Sequence, residues 1–180
     1  MKQDLTERPG WLRLYGRESP ASLYKQALAA TRWQSFRFRA ETVMEFTPAS
    51  FRHMAGLICI YNAENWMYAH LTGGETGPVL NVLVCDNKKL SYTIEGVAVP
   101  SKIPLYFAVE VNRDTLQFSF SINSTEWRPL GKALPADHLS DEYIEKNGLV
   151  FTGSFVGICC QDFDDQSVFA DFDFFSYQEK

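Results

Sequence analysis

The sequence contains no stretch of about 18 or more apolar residues, the length that a membrane-spanning helix needs. Its first residues, Met1-Lys2-Gln3-Asp4-Leu5, lack the apolar core of a secretion signal. We therefore expect a protein that neither spans a membrane nor is exported, and we place it in the cytoplasm.

Basic residues are too few and too dispersed to form a stripe of positive charge. The chain has 17 Lys and Arg residues against 22 Asp and Glu residues, which gives a formal net charge of −5. A nucleic-acid-binding surface needs clustered Lys and Arg to neutralise phosphates. The charge therefore argues against nucleic acid as a partner, whereas a neutral ligand such as a sugar is compatible with it.

Cysteine is scarce and follows no metal-binding or redox spacing. The four cysteines are Cys59, Cys85, Cys159 and Cys160, and none belongs to a CxxC pair. Cys159 and Cys160 lie in an apolar run, which favours buried, reduced thiols. The alternative is a disulfide between strands. Adjacent residues of a strand point to opposite faces, so at most one of this pair could meet a given partner.

The common catalytic motifs are also missing. The three histidines, His53, His70 and His138, lie far apart and show no metal-ligand spacing. The segment Gly153–Gly157 misses the GxSxG pattern of a nucleophilic serine by one position. No glycine-rich phosphate loop is present. We therefore predict no catalytic residue in this chain.

Acidic residues cluster towards the end of the chain, at Asp162, Asp164, Asp165, Asp171 and Asp173. The interpretation that we favour is a solvated acidic loop, followed by a strand whose Asp171 and Asp173 share its exposed face. The second interpretation is a calcium site, with Asp171 and Asp173 as ligands, because carboxylate oxygens bind Ca²⁺. The third is a catalytic pair, which is disfavoured because neighbours on one strand face do not straddle a sugar.

Aromatic residues make up 14% of the chain, a content typical of stacked sheets, whose interior large flat side chains fill. Trp33, Tyr61, Trp66 and Tyr68 could instead stack on sugars, because a pyranose presents an apolar C–H face to a ring. Core packing is the interpretation that we favour for each of them.

Alternation of apolar and polar residues predicts an all-β protein. The clearest run extends from Phe36 to Phe46, and two further runs, 105–111 and 116–122, are joined by a polar turn suited to a hairpin. Other strands are predicted at 11–15, 24–32, 54–62, 65–71, 79–86, 90–95, 125–130, 155–161 and 168–177, although the alanine-rich 24–32 could equally be helical. One short helix is predicted at 140–146, capped by Ser140. This pattern indicates a two-sheet antiparallel β-sandwich or a barrel.

Several segments, taken together, resemble a known family. They are Arg8–Ser19, Met54–Leu57 with Tyr61-Asn62, Cys85–Asn87, Phe151–Gly157, Cys160–Asp162 and Ala170–Phe175. In this order, from about Arg8 to Lys180, they resemble the C-terminal domain of β-xylosidases of glycoside hydrolase family 43.

This resemblance implies one concanavalin A-like (jelly-roll) β-sandwich over residues 1–180, with about residues 1–10 as an interdomain lead-in. It implies a non-catalytic accessory domain that follows a five-bladed propeller, which carries the catalytic carboxylates. Such enzymes hydrolyse xylo-oligosaccharides from the non-reducing end with inversion, some with α-L-arabinofuranosidase side activity. The implied partners are that propeller and a xylo-oligosaccharide at the shared pocket, and an oligomer is compatible with this arrangement.

By the same resemblance, Phe151 is the aromatic residue that helps to close the substrate pocket, with Phe155 as the second candidate. Arg8 and Trp11 lie where the chain leaves the propeller and are therefore implied at the domain interface. No cofactor is expected apart from the calcium considered at Asp171. The alternative function is an independent carbohydrate-binding module for xylan-type glycans.

Overall fold

Two antiparallel sheets contain the strands of residues 3–147 and 153–180, the part of the chain that the computed structural model describes. Sheet A consists of β1 (Gln3–Asp4), β2 (Leu12–Tyr15), β4 (Arg37–Phe46), β9 (Leu105–Asn112), β10 (Thr115–Ser121), β11 (Arg128–Pro129), β12 (Leu134–Pro135) and β14 (Phe169–Glu179). Sheet B consists of β3 (Ala27–Arg32), β5 (His53–Asn62), β6 (Asn65–Gly73), β7 (Pro78–Asp86), β8 (Lys89–Ala98) and β13 (Phe155–Asp162).

The strand order joins distant parts of the chain. In sheet A the order is β1-β2-β14-β4-β9-β10-β11, with β12 also paired to β10, and in sheet B it is β3-β13-β5-β6-β7-β8. The last strand, β14, therefore lies between β2 and β4, and β13 lies between β3 and β5. Each sheet thus needs strands from both ends of the described chain.

The inner faces of the two sheets share one apolar core. Phe38 and Met44 of β4, Leu57 of β5, Phe107 of β9 and Phe118 of β10 are all buried in it. Burying one side chain of this size stabilises the fold by about 1.5–3 kcal/mol. The alternation of apolar and polar residues therefore gives each sheet an apolar inner face, and the two inner faces pack together. The predicted two-sheet antiparallel β-sandwich is confirmed.

The outer face of sheet B carries a second apolar cluster, which includes Ile58, Trp66, Tyr68 and Cys159. The Tyr68 hydroxyl donates a hydrogen bond of 3.0 Å to the backbone carbonyl of Cys159. Because Tyr68 lies on β6 and Cys159 on β13, the side chain reaches across the intervening strand β5. This face therefore buries aromatic rings that alternation alone would assign to solvent.

Most of the predicted strands are present within a few residues of their expected bounds. The ambiguous segment 24–32 contains the strand β3, so its helical alternative is wrong. The prediction at 125–130 is wrong in extent, because only Arg128–Pro129 pairs as a strand. The Asn123 side-chain oxygen accepts hydrogen bonds from the backbone N–H groups of Thr125 and Glu126, which holds this segment as a turn instead.

The short helix is confirmed as α1 (Asp141–Ile144), between two 3₁₀ turns at Ala136–Leu139 and Glu145–Asn147. The Ser140 side chain accepts a hydrogen bond of 3.2 Å from the backbone N–H of Tyr143, as an N-cap does. In the lead-in, β1 pairs with β2, so this segment is itself part of sheet A.

All four cysteines are free and buried, which confirms the prediction of reduced thiols. Burial raises the pKa of the Cys159 thiol to about 12, so it stays protonated and unreactive. Within residues 3–147 and 153–180, no helix has the length and apolar character needed to cross a membrane.

Candidate functional site

A cleft of about 720 Å³ opens at one end of the sandwich. We call it the end cleft, and it is lined by residues 32–36, 113–114, 136–137, 139–143, 146 and 153–154. These segments meet there because β3 and β9 end, and β4, β10 and β13 begin, at the same end of the sandwich. The strand order therefore builds the cleft from residues that are far apart in sequence.

The helical segment along one side of the cleft is fixed to sheet B by Asp86. The Tyr143 hydroxyl donates to the Asp86 carboxylate at 2.9 Å, and His138 Nδ1 lies 3.2 Å from the same carboxylate. The His138 and Tyr143 rings stack with centroids 4.0 Å apart. A further hydrogen bond of 2.7 Å joins the Tyr61 hydroxyl to Asp141. The cleft wall is therefore held by polar contacts to the body of the domain.

The opposite side of the cleft is aromatic. Trp33 packs edge-on against Phe38 with ring centroids 5.1 Å apart, whereas Phe36 is 82% exposed. The indole Nε1 of Trp33 is buried and has no hydrogen-bond partner among the described residues. Because this N–H group is enclosed, it does not reach the cleft surface, and the exposed Phe36 ring makes this side of the cleft apolar.

Of the two residues predicted to contribute to the substrate pocket, the structure describes only Phe155. Phe151 lies outside the described residues. Phe155 begins β13 on the outer face of sheet B, where it packs against the second apolar cluster and lies 5.0 Å from the Arg32 guanidinium. Lys146 and Gly153, which flank the Phe151 segment in sequence, both line the end cleft.

The predicted interface residue Arg8 makes its contacts within the domain. Its guanidinium donates to both oxygens of Glu45 at 2.8 and 3.2 Å and lies 3.3 Å from Asp171. It also stacks over the Trp11 ring, 3.5 Å from the centroid. Arg8 and Trp11 thus fasten the lead-in to sheet A, and their role at an interface between domains stays a prediction.

Asp171 and Asp173 do not share an exposed face, so that expectation is wrong. Asp171 is only 5% exposed, and its two oxygens accept hydrogen bonds from Arg13 at 2.7 and 2.8 Å. Asp173 is exposed and lies in a β-bulge between Phe172 and Phe175, which interrupts the alternation. Calcium at these two residues stays a prediction, and the ion would have to displace Arg13 and Arg8.

Electrostatics explain why Asp171 remains charged although it is buried. Burial would raise the pKa of its carboxyl group, but the hydrogen bonds and the positive charge of Arg13, and then those of Arg8, outweigh burial. The net pKa of Asp171 is lower than its ordinary value. The residue is therefore the anionic centre of a structural ion-pair network.

His53, Asp162 and Asp164 form the one group of three metal-type ligands within residues 3–147 and 153–180. His53 Nδ1 accepts a hydrogen bond of 3.1 Å from the Ala49 N–H, so the neutral ring carries its proton on Nε2. Nε2 is the atom that faces Asp164, at 3.0 Å. Without a free lone pair on Nε2, the neutral histidine cannot be a metal ligand there.

The carboxylates of this group are also engaged. Asp162 accepts hydrogen bonds from the backbone N–H groups of Asp164 at 2.7 Å and Val168 at 3.1 Å, and Arg52 donates to Asp164 at 2.7 Å. The hydrogen bond and charge of Arg52, with a smaller effect of His53, hold the pKa of the Asp164 carboxyl below its ordinary value. The group closes the loop between β13 and β14 and does not fit a metal centre.

The four aromatic residues considered for sugar stacking are not available for it. Tyr61, Trp66 and Tyr68 are buried, and Trp33 packs against the core, so the core-packing interpretation is confirmed. The exposed rings belong to other residues, which sequence analysis missed: Tyr24, Phe36, Phe51, Tyr92, Phe163, Phe169 and Phe174. For Phe51, its place in a turn between Ser50 and Arg52 was the available signal.

These features define a concanavalin A-like β-sandwich whose clustered aspartates serve structural ion pairs and loop hydrogen bonds. Comparison with known proteins agrees with this class. The family model of the "Beta xylosidase C-terminal Concanavalin A-like domain" matches residues 2–178. The chain therefore belongs to this family of C-terminal domains of glycoside hydrolase family 43.

Similar proteins are xylosidases of about three times this length. A β-xylosidase from Bacillus subtilis is 40% identical over 98% of this chain, which covers 33% of the relative. A xylan 1,3-β-xylosidase from a Vibrio species is 36% identical over 97% of the chain and 33% of the relative. The crystal structure of xylan β-1,4-xylosidase from Bacillus halodurans superposes with a TM-score of 0.94 at 35% identity, over 98% of this chain and 34% of the other. The chain thus spans about a third of each of these relatives.

Proposed function

We propose that this chain is the accessory domain of a β-xylosidase-type enzyme that acts on xylo-oligosaccharides. In this proposal it packs on a catalytic five-bladed propeller and helps to close the substrate pocket. The observation that carries the proposal is that xylosidase relatives match this chain over only a third of their length. The structural roles of Asp162, Asp164 and Asp171 support a domain without catalytic carboxylates of its own.

The end cleft is the surface that we assign to the propeller. The exposed ring of Phe36 supplies an apolar contact, and Trp33 lines the cleft beside it. The cleft also carries charges of both signs, including Arg32, Arg113 and Glu142. Such a mixture of apolar and polar groups is typical of interfaces between domains of one chain.

Phe151 is the residue that we propose to reach the substrate pocket. It lies in sequence between Lys146 and Gly153, both of which line the end cleft. Phe155 is the weaker candidate, because its ring already packs within its own domain. The cytoplasmic location and an oligomeric enzyme remain predictions.

A chimeric enzyme tests this proposal. This chain replaces the C-terminal third of the Bacillus subtilis β-xylosidase, and hydrolysis of an aryl xyloside and of xylobiose is measured. We expect the chimera to be more active than the catalytic part alone. We expect Phe151→Ala to lower kcat/KM for xylobiose by about tenfold, which corresponds to about 1.4 kcal/mol of transition-state stabilisation.

Phe155→Ala is the matched control, because it removes a ring from the same motif that packs inside the domain. Its effect on kcat/KM should be smaller than that of Phe151→Ala, although it should lower the thermal stability of the chimera. A folded chimera that is no more active than the catalytic part alone would contradict the accessory role. Equal kinetics for Phe151→Ala and the parent chimera would contradict the role of Phe151.

A further inference from the structure

A second cavity, of about 390 Å³, lies on the outer face of sheet B, at the opposite end of the strands from the end cleft. We call it the sheet B cavity. Its floor comes from Met54, Thr72 and Asn81, and its sides include Phe51, Tyr92 and Glu95. A volume of this size is within the range of sites that bind small molecules, about 300–1,000 Å³.

Two exposed aromatic rings flank this cavity. Phe51 is 68% exposed and Tyr92 is 44% exposed. Their backbones are fixed, because the Thr72 hydroxyl donates to the Phe51 carbonyl at 3.2 Å and Tyr92 is paired to Leu83 within sheet B. Two rings on a fixed backbone offer flat apolar surfaces at a low cost in conformational entropy.

The cavity also contains a buried amide that is oriented by its neighbour. Asn81 is only 5% exposed, and its side-chain oxygen accepts a hydrogen bond of 2.7 Å from the Gly96 N–H. This bond turns the amide Nδ2 away from Gly96, and Nδ2 has no protein partner in the part of the chain that the structure describes. An amide N–H group without a protein partner can donate a hydrogen bond to an oxygen atom of a ligand.

Hydrogen-bond acceptors complete the lining. Glu75 and Glu95 are exposed and belong to no ion pair among the described residues. Burial and the nearby charge of Glu95 raise the pKa of the Tyr92 hydroxyl, which keeps it protonated as a donor. Among the described residues, no lysine or arginine lines the cavity. The cavity therefore offers rings, donors and acceptors, and its negative charge disfavours anions.

We infer that the sheet B cavity binds a short neutral oligosaccharide, namely a β-linked xylo-oligosaccharide. The C–H faces of the sugar rings pack on Phe51 and Tyr92, and the sugar hydroxyls bond to the Asn81 amide and to the carboxylates. The choice of xylose as the sugar rests on the proposed function. The assignment of the cavity as a sugar site rests on its lining residues. This site would hold substrate chains on a face of the domain away from the end cleft.

Calorimetric titration of the 180-residue chain with xylohexaose tests this inference. We expect measurable binding that Phe51→Ala and Tyr92→Ala each weaken by about tenfold, since each removes one stacking surface. Both residues are exposed, so the variants should keep the thermal stability of the parent. Phe36→Ala is the matched control, because it removes an exposed ring outside the cavity, and its affinity should equal that of the parent.

A second comparison separates a sugar from a cationic ligand. In Glu95→Gln the amide oxygen still accepts hydrogen bonds, so xylohexaose should bind within about twofold of the parent affinity. A lysine-rich peptide held by charge would instead lose affinity in this variant. No binding of xylohexaose, binding that Phe51→Ala and Tyr92→Ala leave unchanged, or binding of the peptide alone would each overturn the inference. None of these results depends on the chimeric enzyme, so the two proposals fail separately.

Discussion

The carboxylate of Asp171 on β14 accepts hydrogen bonds from both Nε and Nη2 of Arg13 on β2, at 2.7 and 2.8 Å. The two residues are direct partners in the register of sheet A, and Glu45 of β4 is the partner of Asp171 on the other side. Arg8 bridges Asp171 and Glu45 from the lead-in. The buried carboxylate on β14 therefore contacts β2 through Arg13 and the lead-in through Arg8, and Arg8 extends the network to β4.

We expect Asp171→Asn to lower the free energy of unfolding by about 2 kcal/mol. The substitution removes the charge that pairs with two guanidinium groups and leaves the largely buried Arg13 with Glu7 as its remaining carboxylate partner among the described residues. Urea denaturation measures the loss. The control is Glu45→Gln, which removes a more exposed carboxylate from the same network and should cost less than about 1 kcal/mol. Equal losses in the two variants would contradict the central role of Asp171.

We expect the stability of the domain to fall between pH 6.5 and pH 5 because of His70. Burial lowers the pKa of this histidine from 6.5 to about 4. The unfolded chain therefore binds a proton in this window while the folded chain does not, and stability is lost as the pH falls. The expected loss is about 2 kcal/mol by pH 5, measured by urea denaturation across the pH range.

His70→Gln and His70→Asn should both flatten this pH dependence, whatever they do to stability at pH 7. In the folded domain, His70 Nδ1 lies 3.3 Å from the Tyr68 carbonyl, and Nε2 has no hydrogen-bond partner among the described residues. Within residues 3–147 and 153–180, therefore, no hydrogen-bond acceptor faces Nε2 to stabilise a positive charge there. Variants that keep the slope of the parent between pH 6.5 and pH 5 would show that His70 is not its source.

We expect Gly56→Ala to destabilise the domain by about 3 kcal/mol. A Cβ atom at Gly56 would lie 2.1 Å from the Ala69 carbonyl oxygen and 2.8 Å from the His70 Cα, both of which belong to the backbone of β6. Thermal denaturation measures the effect. Gly10→Ala is the comparison, because its Cβ would meet no atom within 4 Å and only its φ of +85° opposes the change, at about 1 kcal/mol. A smaller loss for Gly56→Ala than for Gly10→Ala would contradict the steric argument.

Much of the fold could be predicted because its causes are local. The alternation from Phe36 to Phe46 gives β4, and the polar turn after Asn112 gives the β9–β10 hairpin. Ser140 caps α1 through its own side chain, so that helix start needs no distant residue. The strand predicted at 125–130 was too long because hydrogen bonds to the Asn123 side chain, and not the strand pattern, decide the backbone at Thr125 and Glu126.

The candidate sites were less predictable because their residues come from distant segments. Phe51 and Tyr92 are far apart in sequence, and only the path of sheet B brings them to one cavity. Asp171 looked like a solvent-facing acidic residue, and only the pairing of β14 with β2 places Arg13 beside it.

The sequence by itself determined that the chain forms antiparallel strands, which face of most strands is apolar, and to which family it belongs. Tertiary structure alone decided which rings remain exposed and which acids are paired. The physical reason is that alternation assigns a side chain to one of two faces but does not say what covers that face. Tyr68 is buried on the outer face of sheet B, whereas Tyr92 on the same face is exposed, because Tyr68 lies on a central strand and Tyr92 lies on the edge strand β8.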